Sequence, residues 1–115
     1  GGIKGYYSTC YRQRIIHINS DIPENDRWHT CAHELGHGIL HPNSNTPFLR
    51  ANTLFPIGRF EKEAEHFAID LLYSDEDMRE YLQYSTPQIA ECLNIPVSLV
   101  EYRVSVMEKQ LRFLE

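Results

Sequence analysis

Cysteine is scarce: Cys10, Cys31 and Cys92 are three in 115 residues, an odd number with no C-x-x-C pair. That argues against a disulfide framework and makes a reducing compartment, the cytoplasm, the expected setting. Long apolar runs are also missing, so the sequence encodes no helical membrane span. The N-terminus carries neither a signal-peptide pattern nor an arginine-rich transit pattern, although the abrupt Gly1-Gly2 opening leaves room for an upstream segment. Basic residues are outnumbered, 11 Lys and Arg against 16 Asp and Glu, for a net charge of −5. Nucleic acid is therefore not expected as a direct partner. There is no internal repeat and no low-complexity segment. With 42% hydrophobic and 23% charged residues, the expectation is one globular domain over residues 1–115.

Two short strands are predicted near the start, around Tyr6-Tyr7-Ser8-Thr9 and Arg14-Ile15-Ile16-His17-Ile18, both rich in aromatic or β-branched residues. Ser20-Asp21-Ile22-Pro23 breaks the second. From about Asn25 to His41, Trp28, Cys31, Ala32, Leu35 and Ile39 recur at helical spacing and predict a core-facing stripe, in which Cys31 is a small core residue. On that reading His33 and His37 lie on the opposite, non-core face. Residues 42–58 hold three prolines and no clear period, the pattern of a long irregular and functional loop. A helix is predicted from about Phe60 to Tyr73, and Ser74 with Asp77 makes a capping box for a short acidic one. Another starts at Thr86-Pro87, and Ser98 with Glu101 caps the last.

The stretch "HTCAHELGHGILHP", residues 29–42, contains His33-Glu34-Leu35-Gly36-His37, which reads H-E-x-x-H. Positions i and i+4 share a helix face, so both imidazoles can reach one metal ion. The glutamate after the first histidine can then act as general base on a zinc-activated water. A catalytic zinc needs three protein ligands and an open fourth position. The later stretch Glu61-Lys62-Glu63-Ala64-Glu65 puts Glu61 and Glu65 on one polar helix face. Either carboxylate can be the third ligand, leaving the other to hold a ligating histidine through its ring N–H.

"HELGHGILH" followed by "FEKEAEHFAIDLL" resembles the ImmA/IrrE-type metallopeptidases, whose second helix carries E-x-x-A-N/D-x-F-A. Glu61, Ala64, Phe67 and Ala68 match that pattern, and Glu65 stands where the family has Asn or Asp. The upstream "RIIHINSDIP" is similar to the family's strand before the active helix. The likeness covers residues 5–73 well and the remainder loosely, and the family's usual N-terminal helix is missing. The resemblance implies an α+β, gluzincin-like or minimal zincin-like fold, with a small antiparallel N-terminal sheet packed on the H-E-x-x-H helix and further helices. It implies one zinc per chain on His33, His37 and Glu61, with Glu34 as general base. It also implies an endopeptidase acting on a helix-turn-helix repressor of phage, mobile-element or stress genes.

Other features compete for attention. His41 continues the i, i+4, i+8 series, but at about 100° per residue it drifts off the ligand face and is expected to cap the last carbonyls. His17, His29 and His66 have no partner at ligand spacing. Tyr6, Tyr7, Arg59 and the 42–58 loop are the candidates for stabilising an oxyanion. Residues 86–115 form a helical C-terminal element with a helix-turn-helix-like pattern over 89–104. Arg103 is its only basic residue between 98 and 107, too few cations for a DNA reader. Two rivals to a peptidase follow: a non-catalytic metal-containing module that binds a transcription regulator, and a DNA-binding regulator built on residues 86–107.

Overall fold

The computed structural model describes residues 3–10, 13–41 and 57–114. The architecture is α+β. Strands Gly5–Cys10 (β1) and Gln13–Ile18 (β2) pair antiparallel, in a register that runs from Gly5 opposite Ile18 to Cys10 opposite Gln13. Helices follow at Glu24–Leu40 (α1), Ile57–Leu72 (α2), Asp75–Arg79 (α3), Thr86–Leu93 (α4) and Val97–Leu114 (α5). Of the long loop expected over residues 42–58, positions 42–56 lie outside the described residues, and Gly58 is already helical. No described helix is long and apolar enough to cross a membrane. The chain forms two compact units, residues 1–68 and 69–115.

In the first unit the sheet lies against α1. Tyr7 of β1 is fully buried and packs under Gly38, where an added Cβ would come within 3.0 Å of its ring. Two residues earlier, about half a turn round the helix, Gly36 meets α2: a Cβ there would stand 3.2 Å from Ala64 Cα and carbonyl oxygen. Ala64 is itself completely buried. These two glycines let one helix approach a strand and a second helix at nearly backbone distance. Across the sheet, His17 stacks on Tyr6 with ring centroids 4.2 Å apart and lies 3.2 Å from Ser8 Oγ, which gives that histidine a structural place.

The apolar stripe predicted to face the core does not do so. Trp28 is 63% exposed and Ile39 53%, and Leu35 and Cys31 are exposed as well; only Ala32 of the five is buried. The buried face is Thr30, Ala32, His33, Glu34, Gly36, His37 and Gly38. The helix turns inward the side that carries its small residues, because only that side permits the approach to Tyr7 and Ala64. The histidines go in with it.

In the second unit Met78, Ile89, Ala90, Val100 and Met107 form the core, with Tyr73, Tyr81, Leu93, Ile95 and Val104 packed on it. Ser74 accepts from the backbone N–H of Asp77, which is one half of the predicted capping box. Ser85 and Gln88 form a complete capping box for α4, and Asn94 ends that helix in the left-handed conformation at φ 56°. The last helix starts at Val97, so Ser98 lies inside its first turn and is not the predicted cap. Arg103 is 4% exposed; it donates to the Tyr73 carbonyl at 2.9 Å and pairs with Asp75. The one cation between residues 98 and 107 is thus turned inward, where a phosphate does not reach it.

The glycine contacts make a paired prediction. Gly36→Val should cost about 1–3 kcal/mol, the usual penalty of overpacking. Gly58→Ala, exposed in α2 with nothing within 4 Å of an added Cβ, should gain about 0.5–1 kcal/mol from helix propensity. Urea unfolding of the two variants checks this; equal midpoints would contradict the close approach at Gly36.

Candidate metal centre

Helix α1 delivers His33 and His37 from one face, four residues apart. Helix α2 delivers Glu61 to the same point. Glu61 Oε2 lies 2.7 Å from His33 Nε2, and its other oxygen lies 3.1 Å from His37 Nε2. One donor atom from each of His33, His37 and Glu61 falls within a set whose members are no more than 4.8 Å apart. Two imidazoles and a carboxylate suit zinc and other borderline divalent ions, and three protein donors leave a coordination position open. The residues therefore fit a catalytic metal. His33 and His37 are buried and their rings meet edge-on.

Glu65 does not join that cluster. It accepts from His33 Nδ1, the ring nitrogen turned away from Glu61, and lies 3.0 and 3.1 Å from His29 Nε2. The two glutamates on the polar face of α2 thus hold opposite edges of one imidazole. His29, which has no sequence partner at ligand spacing, finds one through the fold. His41 also differs from expectation. Its backbone N–H donates to the His37 carbonyl at 2.8 Å, but its ring is buried and lies against His37 and Phe60 instead of capping carbonyls. Its Nε2 stands 2.8 Å from Glu63 Oε2, and Arg59 Nε donates to the other Glu63 oxygen at 2.9 Å. His66 is half-buried.

Glu34 is almost fully buried. It lines a cleft of about 340 Å³ together with His33, Glu65, Thr30, Lys4 and Gly5. Of the oxyanion candidates, Tyr6 stacks on His17, Tyr7 packs under Gly38 and Arg59 is engaged by Glu63. None of these three lines the cleft. Lys4 does, and it lies 3.8 Å from Asp26. Sequence spacing offered no signal for Lys4, because its place depends on how β1 lies on α1.

The charges are mutually dependent. Burial alone would push His33 down, but hydrogen bonds to Glu61 and Glu65 outweigh it and hold the imidazolium up to about 9. Burial would likewise raise Glu61 and Glu65, yet their histidine partners keep both well below the usual carboxylate range. The folded-state pKa of His33 exceeds its ordinary 6.5, so its contribution to stability is full below pH 6.5 and is lost as pH rises through about 9. The glutamate contributions are full above their ordinary 4.5 and are lost as pH falls below it. The metal-free chain should therefore melt highest between about pH 4.5 and 6.5 and lower on either side. Thermal unfolding in chelator across pH 3 to 10 measures this, and a midpoint that keeps climbing from pH 6.5 to 9 would contradict it.

Comparison with known proteins adds to this geometry. The family described as Peptidase M78, IrrE N-terminal-like domain, matches residues 2–105. The chain is 37% identical over 103 residues to the uncharacterized immunity region protein 2 of Bacillus phage phi105, covering 88% of this chain and 65% of that protein. It is 33% identical over 97 residues to the metallopeptidase ImmA of Bacillus subtilis strain 168, covering 81% of this chain and 56% of that protein. It thus spans somewhat under two thirds of the length of either relative. No solved structure matches it. On these matches, the chain belongs to the M78 peptidase family of ImmA/IrrE-type proteins.

Proposed function

We propose that this chain carries the centre of a zinc-dependent endopeptidase, with His33, His37 and Glu61 as metal ligands and Glu34 as general base. The observation that carries the reading is the convergence of those three donor groups beside a cleft that Glu34 lines. When bound there, zinc supplies Lewis acidity: it brings the pKa of coordinated water to about 7 and polarises a carbonyl. The chain's own residues do the rest. Glu34 takes the proton of the attacking water and hands it to the departing amine nitrogen. Its position in the cleft wall puts the carboxylate beside the space that a peptide would enter. Glu65 holds His33 by Nδ1 and fixes the direction in which Nε2 points.

The family match runs across the boundary between the two units, which supports reading residues 1–115 as one peptidase domain. The substrate in this reading is a protein, specifically a helix-turn-helix repressor, and the setting is the cytoplasm. The resemblance to ImmA/IrrE-type proteins points to that substrate, and a phage relative named for an immunity region agrees with it.

Substitutions separate the roles. Glu34→Gln should keep the metal and lower cleavage by about 10²–10⁴-fold. Incubation with candidate repressors, followed by mass spectrometry of the fragments, tests this; undiminished cleavage by Glu34→Gln would sink the mechanism. If the loaded chain binds a repressor tightly and never cuts it, the reading becomes that of a non-catalytic module.

Glu61→Ala should abolish tight zinc binding, whereas Glu65→Ala should weaken it by roughly 10- to 100-fold. Competition with a chromophoric chelator measures both. The reverse order would make Glu65 the ligand.

A further inference from the structure

The two ligand histidines are supported differently. His33 leans on a carboxylate, through Nδ1 to Glu65. His37 leans on another imidazole, with its Nδ1 3.2 Å from the Nδ1 of His41. Two facing ring nitrogens form a hydrogen bond only if one carries the proton and the other a lone pair. The far end of the series decides which. His41 Nε2 stands 2.8 Å from Glu63 Oε2. An ionised carboxylate only accepts, so Nε2 of His41 must be the donor there.

A neutral His41 protonated at Nε2 has a bare Nδ1. That Nδ1 then accepts from Nδ1–H of His37. His37 is left with its lone pair on Nε2, which lies 3.1 Å from Glu61 Oε1. In that tautomer the Nε2 lone pair and Glu61 Oε1 are both free to bind a cation, at the point where the donors of His33, His37 and Glu61 converge.

The placement of His41 makes the relay stiff. Residue 41 leaves the helix at φ −130° and ψ 57°, and so escapes the rotation that would carry an i+8 side chain off this face. Its ring packs on Phe60 with centroids 4.4 Å apart. Glu63 is held in turn by Arg59 at 2.9 Å.

From this geometry we infer that His41, oriented by Glu63, is a positioning residue that locks His37 in its Nδ1–H tautomer and aims Nε2 at the metal. The inference rests on the metal-centre reading above and adds a second support, independent of Glu65.

The test uses the whole chain and reads zinc affinity by chelator competition, with the visible spectrum of the cobalt-substituted protein as a reporter of ligand geometry. Asn places its side-chain oxygen where His places Nδ1, whereas Gln places its polar atoms near the position of Nε2. His41→Phe keeps the ring contact with Phe60 and removes the acceptor; it should lose roughly 10- to 100-fold in zinc affinity and alter the cobalt spectrum. His41→Asn should recover most of that loss, and His41→Gln should not.

Thermal unfolding of each metal-free variant shows whether the fold is kept. If His41→Phe fails to fold, the Asn and Gln variants decide alone. Unchanged affinity in His41→Phe, or Asn no better than Gln, would overturn the inference while leaving the metal centre intact. An unsubstituted chain that binds no zinc would remove the metal-centre reading and this relay with it.

Discussion

The narrow seam between α1 and α2 is the constraint on which the candidate site depends. Ligands that come from two helices converge only if the helix axes lie close enough for a glutamate to reach two imidazoles. Gly36, set between the two histidines, provides that distance by having no Cβ to meet Ala64. A single carboxylate then faces both rings, at 2.7 and 3.1 Å. Three residues that would each be costly to bury alone become partners, and among the described residues no buried side-chain nitrogen or oxygen lacks a hydrogen bond.

Charge in the seam alternates. Glu61, Glu63 and Glu65 come from α2, and His29, His33, His37 and His41 come from α1 and its end. The two-residue spacing on α2 turns Glu63 toward a different histidine from the one that Glu61 and Glu65 share. Glu65 and Glu61 take the two nitrogens of His33, and Glu63 reaches His41. Without a metal this network traps a proton on His33. A cation entering between His33, His37 and Glu61 must displace such a proton, which couples metal uptake to pH. This polar seam also explains the exposed Trp28 and Ile39: α1 has one face to bury, and that face is given to the histidines and glycines.

The second unit follows ordinary rules of packing. Its apolar core gathers α3, α4 and α5, and the turn at Asn94 needs the left-handed conformation that Asn tolerates. Arg103 is consumed by a carbonyl and two aspartates. A helix-turn-helix outline is therefore not enough to identify a nucleic-acid reader, because side-chain direction decides what a cation can touch.

Local chemistry was legible in the sequence. β-branched and aromatic runs set the two strands, Ser74 and Thr86-Pro87 marked helix starts, and H-E-x-x-H placed two imidazoles on one turn-to-turn face. These features depend on neighbours within a few residues, where spacing determines geometry. The match of Glu61 and Ala64 to a family pattern also singled out the glutamate that the fold brings next to His33 and His37. The inward face of α1 was not legible, because an apolar stripe predicts burial only when hydrophobic contact dominates, and here the close approach at Gly36 and Gly38 governs. The partners of His29 and His41 lay beyond sequence reasoning for the same reason. Their carboxylates are 36 and 22 residues away, and only the packing of α2 against α1 brings them within hydrogen-bond distance.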